Sequence, residues 1–403
     1  MARSRVHGRQ SISVDNWATH VTVVRRILIA PDSFKGSLTA QEAASAIERG
    51  VLQSLPDATV LKHPISDGGE GLVNIVTPVL GGRVITTTVS GPLPGQRVQA
   101  KWGLSADGST AIIEMAEAAG LTLVPPERRD PKITTTYGVG ELVTAALDAK
   151  VTSIVIGIGG SATNDGGAGM AEALGVRFLD SHGNPIPRGG VALLNIARIN
   201  SEKIDSRLEN VEVLVACDVQ NTLCGTEGAS AVYGPQKGAT PGDVSLLDKA
   251  LEGYGEIIQS QMDIDVLTIP GGGAAGGLGA GLVAFCGGTL MRGIDLVLRV
   301  TKFDERLKES DLVITGEGSI DRQTYYGKAL SGVIERAHRF KVPIIAVVGG
   351  LEGDRKFFVN NESFADLETL VDSQTTEVDA ISNASRLVSE KTKLLIQRYL
   401  SRT

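Results

Sequence analysis

The chain has 403 residues, more than one ordinary core supports, so two domains of roughly 100–200 residues each are expected. With 39 Lys and Arg against 46 Asp and Glu, the formal net charge of −7 excludes the basic stripe of a nucleic-acid binder. A phosphorylated ligand stays open, because a local ring of lysines and amides holds phosphate inside an acidic protein.

Cys217, Cys224 and Cys286 are too sparse for a disulfide scaffold and read as reduced thiols. The five histidines (His7, His20, His63, His182, His338) include no pair at metal-binding spacing, which excludes a zinc site of the usual spacing. No stretch approaches the ~18 apolar residues of a membrane helix. The first twenty residues carry arginines with no apolar segment after them, so they do not read as a secretory leader, and a cytoplasmic protein is expected. Residues 1–24 are expected to be a disordered extension, with Val21, Val23 or Val24 as alternative starts of translation.

Apolar β-branched runs alternate with alanine-rich amphipathic stretches, the pattern of α/β layers around a mostly parallel sheet. "RILIA" reads as a strand, followed by a helix over "TAQEAASAIERGVLQSL", where Thr39 and Glu42 form a capping box. "VITTTV" and "AIIEMA" are predicted strands and "YGVGELVTAALDA" a helix. "SIVIGIG" is a strand, "GAGMAEALG" a short helix and "VRFLD" a strand. "VEVLVACDV" and "DLVITG" are buried strands ending in acids. The helix "KALSGVIERAHRF" leads into the strand "PIIAVVGG". The tail spaces Ile381, Ala384, Leu387, Val388 and Leu395 as a docking helix.

Polar, glycine-rich loops recur after these strands: "APDSFKGS" (30–37), "SDGGEG" (66–71), "GGSATNDGG" (159–167), "CDVQN" (217–221), "GPQKGA" (234–239), "PGGGAAGGLGAG" (270–281) and "TGEGSIDRQTYYGK" (315–328). Ligands of open α/β sheets bind beyond the carboxyl ends of the strands, so these loops are the candidate site. Phosphoryl transfer needs backbone N–H groups and lysines around phosphates, acids holding Mg²⁺, and an acid near the acceptor hydroxyl. Lys35, Lys237 and Lys328 supply the point charges; Asp32, Asp67, Asp165, Asp218, Glu317 and Asp321 supply carboxylates.

Two other motifs compete. A Walker A loop is excluded, since Arg322 stands at its first glycine position and Ala329 follows Gly327-Lys328. Gly157, Gly159 and Ala162 fit the dinucleotide fingerprint, with Asp180 near the expected distance. That reading needs Ala162 to open a helix, whereas "TNDGG" continues the loop, and each glycine there would cost about 1 kcal/mol inside a helix. A dehydrogenase and a non-catalytic ligand sensor are the alternatives of other classes.

In this order "APDSFKGS", "DGGEG", "GIGGSATNDGGAGM", "ACDV", "GPQKGA", "GGGAAGGLGAG" and "ITGEGSID" resemble the type-1 glycerate kinase family of bacteria, from about Ile27 to about Gly350. Ser66 stands where alanine is expected, Ser319 where arginine is frequent, and the region after Gly350 carries little resemblance. The resemblance implies ATP-dependent phosphorylation of D-glycerate, usually at the 2-hydroxyl, with 3-phosphoglycerate the alternative product. It also implies two α/β domains: a flavodoxin-like one of residues 25–76 plus 285–403, and a restriction-endonuclease-like one, 77–284, with the active site in the cleft between them.

Asp165, Lys35, Asp67 and Asp218 are the expected catalytic residues, Asp165 taking the proton of the acceptor hydroxyl. Gly159, Gly160, Ser161, Lys237, Gly276, Gly277 and Lys328 are expected around ATP, with the glycines bringing amides against phosphate. Ser33, Thr163 and Asn164 are expected on the substrate, and Glu317 and Asp321 on Mg²⁺, presented from an open turn. Partners are small molecules only, and the protein is expected to be a monomer or homodimer.

Overall fold

In the computed structural model, which describes residues 24–66, 68, 71–321, 329–360 and 363–402, the alternation of strand and helix resolves into two sheets. The strands are β1 (Arg26–Ile29), β2 (Thr59–Lys62), β3 (Arg83–Ser90), β4 (Arg97–Leu104), β5 (Thr110–Glu114) and β6 (Ser153–Gly157). A ribbon of β7 (Arg177–Leu179) and β8 (Arg198–Asn200) follows, then β9 (Glu212–Ala216) and β10 (Thr289–Met291). The chain closes with β11 (Leu312–Thr315), β12 (Ser319–Ile320), β13 (Ile344–Val348), β14 (Gly350–Leu351) and β15 (Asp366–Thr369).

The first sheet, β15-β13-β11-β1-β2, is parallel throughout. Ranked by position in the chain its strands run 2-1-3-4-5, the doubly wound flavodoxin-type order, with the switch point between β1 and β11. Side chains alternate between its faces. Ile27, Ile29, Leu312 and Ile314 pack with the helices Ala40–Ser54 and Ala384–Leu400. Leu28 and Val313 pack on the other face against the helices Phe303–Lys308 and Ala329–Phe340. The expected capping box is present, Thr39 Oγ1 accepting from the Glu42 N–H and Glu42 accepting from the Thr39 N–H.

The second sheet runs β10-β9-β6-β5-β4-β3; its first four strands are parallel, and β4 and β3 are antiparallel additions. One face meets the helices Tyr137–Asp148 and Ala274–Cys286, the other Leu72–Val79 and Gly293–Val300. The helix Gly293–Val300 belongs to both cores: Ile294 and Leu298 pack with the first sheet, Leu296 and Val297 with the second.

The fold is therefore mixed α/β with parallel sheets. Two boundary segments side with the second sheet where the sequence suggested the first. β10 pairs with β9 (Thr289↔Leu214), and Leu72, Val73 and Val76 bury against Ile112 and Val155. Three loops are also more ordered than glycine content implied. Residues 270–281 turn into the helix Ala274–Cys286, broken by left-handed residues at 275–277. "GPQKGA" holds a 3₁₀ turn, Pro235–Lys237, and "GEGSID" holds β12, paired with β14, so it is no open turn. Ile381 lies in a separate short helix, Glu377–Ser382, and stays 46% exposed instead of docking with the tail.

Candidate active site

The carboxyl ends of the first sheet bind each other through backbone. The Asp32 N–H donates to the Gly316 carbonyl (2.8 Å), and the Gly349 N–H to the Glu317 carbonyl (3.0 Å). Glycine is required for this closeness: a Cβ on Gly316 would lie 2.2 Å from the Val347 oxygen, and one on Gly349 the same distance from the Gly318 oxygen. Phe34, 2% exposed, anchors the loop after β1 in the core and leaves Ser33 and Lys35 exposed. Beyond β1, β11, β13 and β15 lies a cavity of about 940 Å³, lined by Asp32, Ser33, Lys35, Glu317, Glu352 and Arg355 among others.

A second convergence follows. The Ile65 N–H donates to the Pro31 carbonyl just past β1, while the Gly71 and Val73 N–H groups donate to Glu114 at the end of β5 (2.7 and 3.0 Å). Between them, a Cβ on Gly68 would fall 2.6 Å from the Gly293 Cα and 3.1 Å from the Ala216 Cβ, beside the end of β9. Ile65 thus sits at the carboxyl end of one sheet, and Gly68 and Gly71 at that of the other. Exposed Asp218, after β9, accepts from the Gly293 N–H (2.9 Å) at the start of the shared helix. Asp67 and Lys328 lie outside the described residues.

The most glycine-rich turn does something else. Residues 161–171 are buried, and the glycines bring one main chain against another, not against an open ligand space. A Cβ on Gly276 would meet the Thr163 oxygen at 1.9 Å, and one on Gly277 the Gly166 Cα at 2.8 Å. That geometry corrects the expectation that Gly276 and Gly277 face a nucleotide. Of the expected glycine contacts, Gly159 and Gly160 alone reach the surface, Gly160 exposed with φ of 70°.

Asp165 is 1% exposed. Its Oδ2 accepts from the Thr136 N–H (2.8 Å) and the Gly169 N–H (3.3 Å), its Oδ1 from the Gly167 N–H (3.2 Å), and the Thr136 hydroxyl bonds it as well. Burial pushes its pKa up, and these bonds pull the other way. A carboxylate so enclosed organises the turn and the start of the helix Ala168–Ala173; it does not fit the expected role of accepting a substrate proton. Thr163 and Asn164, both 0% exposed, likewise face protein, and the Asn164 amide donates to Ser230 Oγ (2.9 Å). The Thr163 hydroxyl and the Asn164 amide oxygen have no hydrogen-bond partner among the described residues. Lys237, 1% exposed, donates to Ser161 Oγ (2.8 Å) and the Thr163 carbonyl (2.7 Å).

Ala162 opens no helix: residues 161–167 remain a turn and the helix begins at Ala168, while Asp180 accepts from the N–H groups of His182 and Asn184 in its own turn. The dinucleotide fingerprint is therefore not formed.

Glu317 is 7% exposed at the cavity wall, whereas Asp321 lies past β12 and outside the lining. Among the described residues no cluster of three or more His, Cys, Asp or Glu could hold a metal. A Mg²⁺ that arrives with phosphates takes only one or two protein carboxylates, so Glu317 fits such a role by itself.

The model of the glycerate kinase family matches residues 27–400. The chain belongs to the glycerate kinase family. It is an enzyme of that type, 52% identical over 81% of its length to a glycerate kinase of Halalkalibacterium halodurans, 85% of which is covered. It is 48% identical to a glycerate 2-kinase of Escherichia coli, over 82% of this chain and 86% of that one. A crystal structure from Salmonella typhimurium LT2, assigned as a glycerate kinase 2, superposes with a TM-score of 0.84 at 48% identity, over 92% of this chain and 97% of that one.

The sequence alone missed two contributors to these convergences. Glu114 holds the Gly71 and Val73 N–H groups, and its signal was the acid in the strand "AIIEMA", as in "CDV" and "TGE". The 349–355 wall of the cavity was signalled by the two glycines that end "PIIAVVGG". No helix among the described residues is long and apolar enough to cross a membrane.

Proposed function

We propose that this enzyme transfers the γ-phosphoryl group of ATP to D-glycerate with Mg²⁺ and gives 2-phosphoglycerate. The observation that carries the reading is the cavity at the β1/β11 switch point, where Lys35, Asp32 and Glu317 meet on loops held rigidly by backbone bonds. Phosphoryl transfer asks the protein mainly for position and charge, and that set supplies both. Mg²⁺ supplies charge neutralisation on the phosphates; Glu317 is the residue that would hold it. Lys35 attracts and orients phosphate, and exposed Ser33 offers a hydroxyl to the substrate.

The 2-position is favoured because a relative at 48% identity carries the name glycerate 2-kinase. The reading includes a closing motion of two units, 25–76 plus 285–403 around 77–284. It also includes cytoplasmic work on small molecules alone, as a monomer or homodimer. The test is incubation with ATP, Mg²⁺ and D-glycerate, the product being coupled to enolase with and without phosphoglycerate mutase. Signal without mutase supports 2-phosphoglycerate. Signal that requires mutase assigns the 3-position, and no ADP refutes the kinase.

A further inference from the structure

The cavity at the carboxyl end of the first sheet is larger than a three-carbon acid needs, and its two ends differ in chemistry. The strand order β15-β13-β11-β1 lays its lining out along one line, β1 and β15 standing three strand spacings, about 14 Å, apart. At the β1 and β11 end stand Asp32, Ser33, Lys35 and Glu317. At the β15 end the wall is Leu370 and Val371, just past the strand, together with the short helix Glu377–Ser382.

That helix is fixed in place. Thr376 Oγ1 accepts from the Asp379 N–H (3.2 Å) at its start, and Ala380, 5% exposed, packs in the same core as Leu370. Glu377, Ala380 and Ile381, at i, i+3 and i+4, share the face that lines the cavity. Ala380 is held by the core behind it. Ile381 is 46% exposed and belongs to neither apolar core of the first sheet, so its side chain is an unpartnered apolar surface on the wall of a largely polar cavity.

We propose that the purine base of ATP packs on Ile381 and the Leu370–Val371 turn, with the triphosphate running along the strand ends toward Lys35 and Glu317. The inference rests on the kinase reading of this cavity and adds which end of it takes which part of the nucleotide. Of the two proposed substrates, D-glycerate carries a polar atom on every carbon and has no apolar face to bury. ATP ends in a flat, uncharged base at the opposite end from its γ-phosphate, and that base removes the isoleucine from water. A base at the β15 end leaves the γ-phosphate at the β1 and β11 end, beside the lysine and the acids. A small-molecule site with an apolar wall and a few convergent polar groups has the same division of labour.

The experiment is calorimetric titration of the wild type, Ile381→Asp and Val378→Asp with ADP and Mg²⁺, and with tripolyphosphate, which has the phosphates but no base. Ile381→Asp should weaken ADP roughly tenfold or more and leave tripolyphosphate unchanged, because the lost contact is with the base. Val378, 73% exposed on the same helix and outside the lining, is the control for an added charge: Val378→Asp should bind ADP as the wild type does. Both side chains are exposed, so neither substitution opens the core. Equal ADP affinity in the wild type and Ile381→Asp overturns the base subsite. So does a loss of ADP affinity that tripolyphosphate or Val378→Asp matches. A wild type that binds ADP through Ile381 yet forms none from ATP with glycerate refutes the kinase and keeps the subsite. A wild type that binds no ADP overturns both.

Discussion

The backbone of Gly276 lies against that of Thr163 so closely that a Cβ on Gly276 would fall 1.9 Å from the Thr163 carbonyl oxygen. The φ of Gly276 is 70°, in the left-handed region. Gly276→Ala is expected to cost at least about 2 kcal/mol, from left-handed strain and main-chain overlap together. Gly253, inside the helix Pro241–Met262 with nothing within 4 Å of its would-be Cβ, is the control. Gly253→Ala should gain about 0.5–1 kcal/mol. Urea unfolding of the two variants measures both, and a neutral Gly276→Ala would refute the packing role of the glycines.

Asp165→Asn separates an organiser from a proton acceptor. The carboxylate accepts from the N–H groups of Thr136, Gly167 and Gly169, and an asparagine NH₂ would turn donor against donor there. A buried donor left unpaired costs about 1–3 kcal/mol, so the variant should lose stability. Loss of kcat by 10² or more at an unchanged melting temperature would restore Asp165 as the base.

Glu317→Gln keeps the shape of the cavity wall and removes its negative charge. The expected outcome is a Mg²⁺ titration of ADP formation shifted to higher metal, by roughly tenfold or more, since a charged ligand is lost where few are available. An unchanged titration would remove Glu317 from the metal.

His63 couples stability to acid. Its Nε2 lies 2.7 Å from Thr301 Oγ1, its ring meets Phe303 edge-on at 5.1 Å, and burial followed by the charge of Arg306 holds its pKa down at about 3. A base whose folded pKa is depressed stabilises fully above its unfolded pKa, and that contribution drains away as pH falls from about 6.5 toward 3. The melting temperature of His63→Gln should therefore fall less steeply in that window, the two curves diverging by roughly 5 °C near pH 4.5. Parallel curves would show that His63 does not titrate as described.

The strands of the first sheet and the loops that line its cavity were legible, because β-branched runs and the loops after them are local features. "RILIA", "DLVITG" and "PIIAVVGG" each became a parallel strand, and the loops behind Asp32 and Glu317 line the cavity. Which way a glycine turn faces is not local. The sequence of 159–167 reads as a phosphate cradle, yet the tight approach of Gly276, Gly277 and Gly281 to Thr163, Asn164, Gly166 and Gly167 closes it from behind, so the turn that holds Asp165 is packed against residues far away in sequence. The helix Ala274–Cys286 was hidden for the same reason: its glycines are poor helix formers, and its first turn is left-handed where Gly277 packs against Gly166.

The helix Gly293–Val300 is a party wall. Ile294 and Leu298 help close one room, Leu296 and Val297 the next. Melting either sheet would strip a wall from its neighbour and wet Ile112, Val155 and Leu214, or Leu28 and Val313, at once. The two sheets should therefore melt as one: calorimetry should record a single heat-absorption peak, its calorimetric and van't Hoff enthalpies agreeing. Two separated peaks would mean that the wall stays with one room and that the other stands without it.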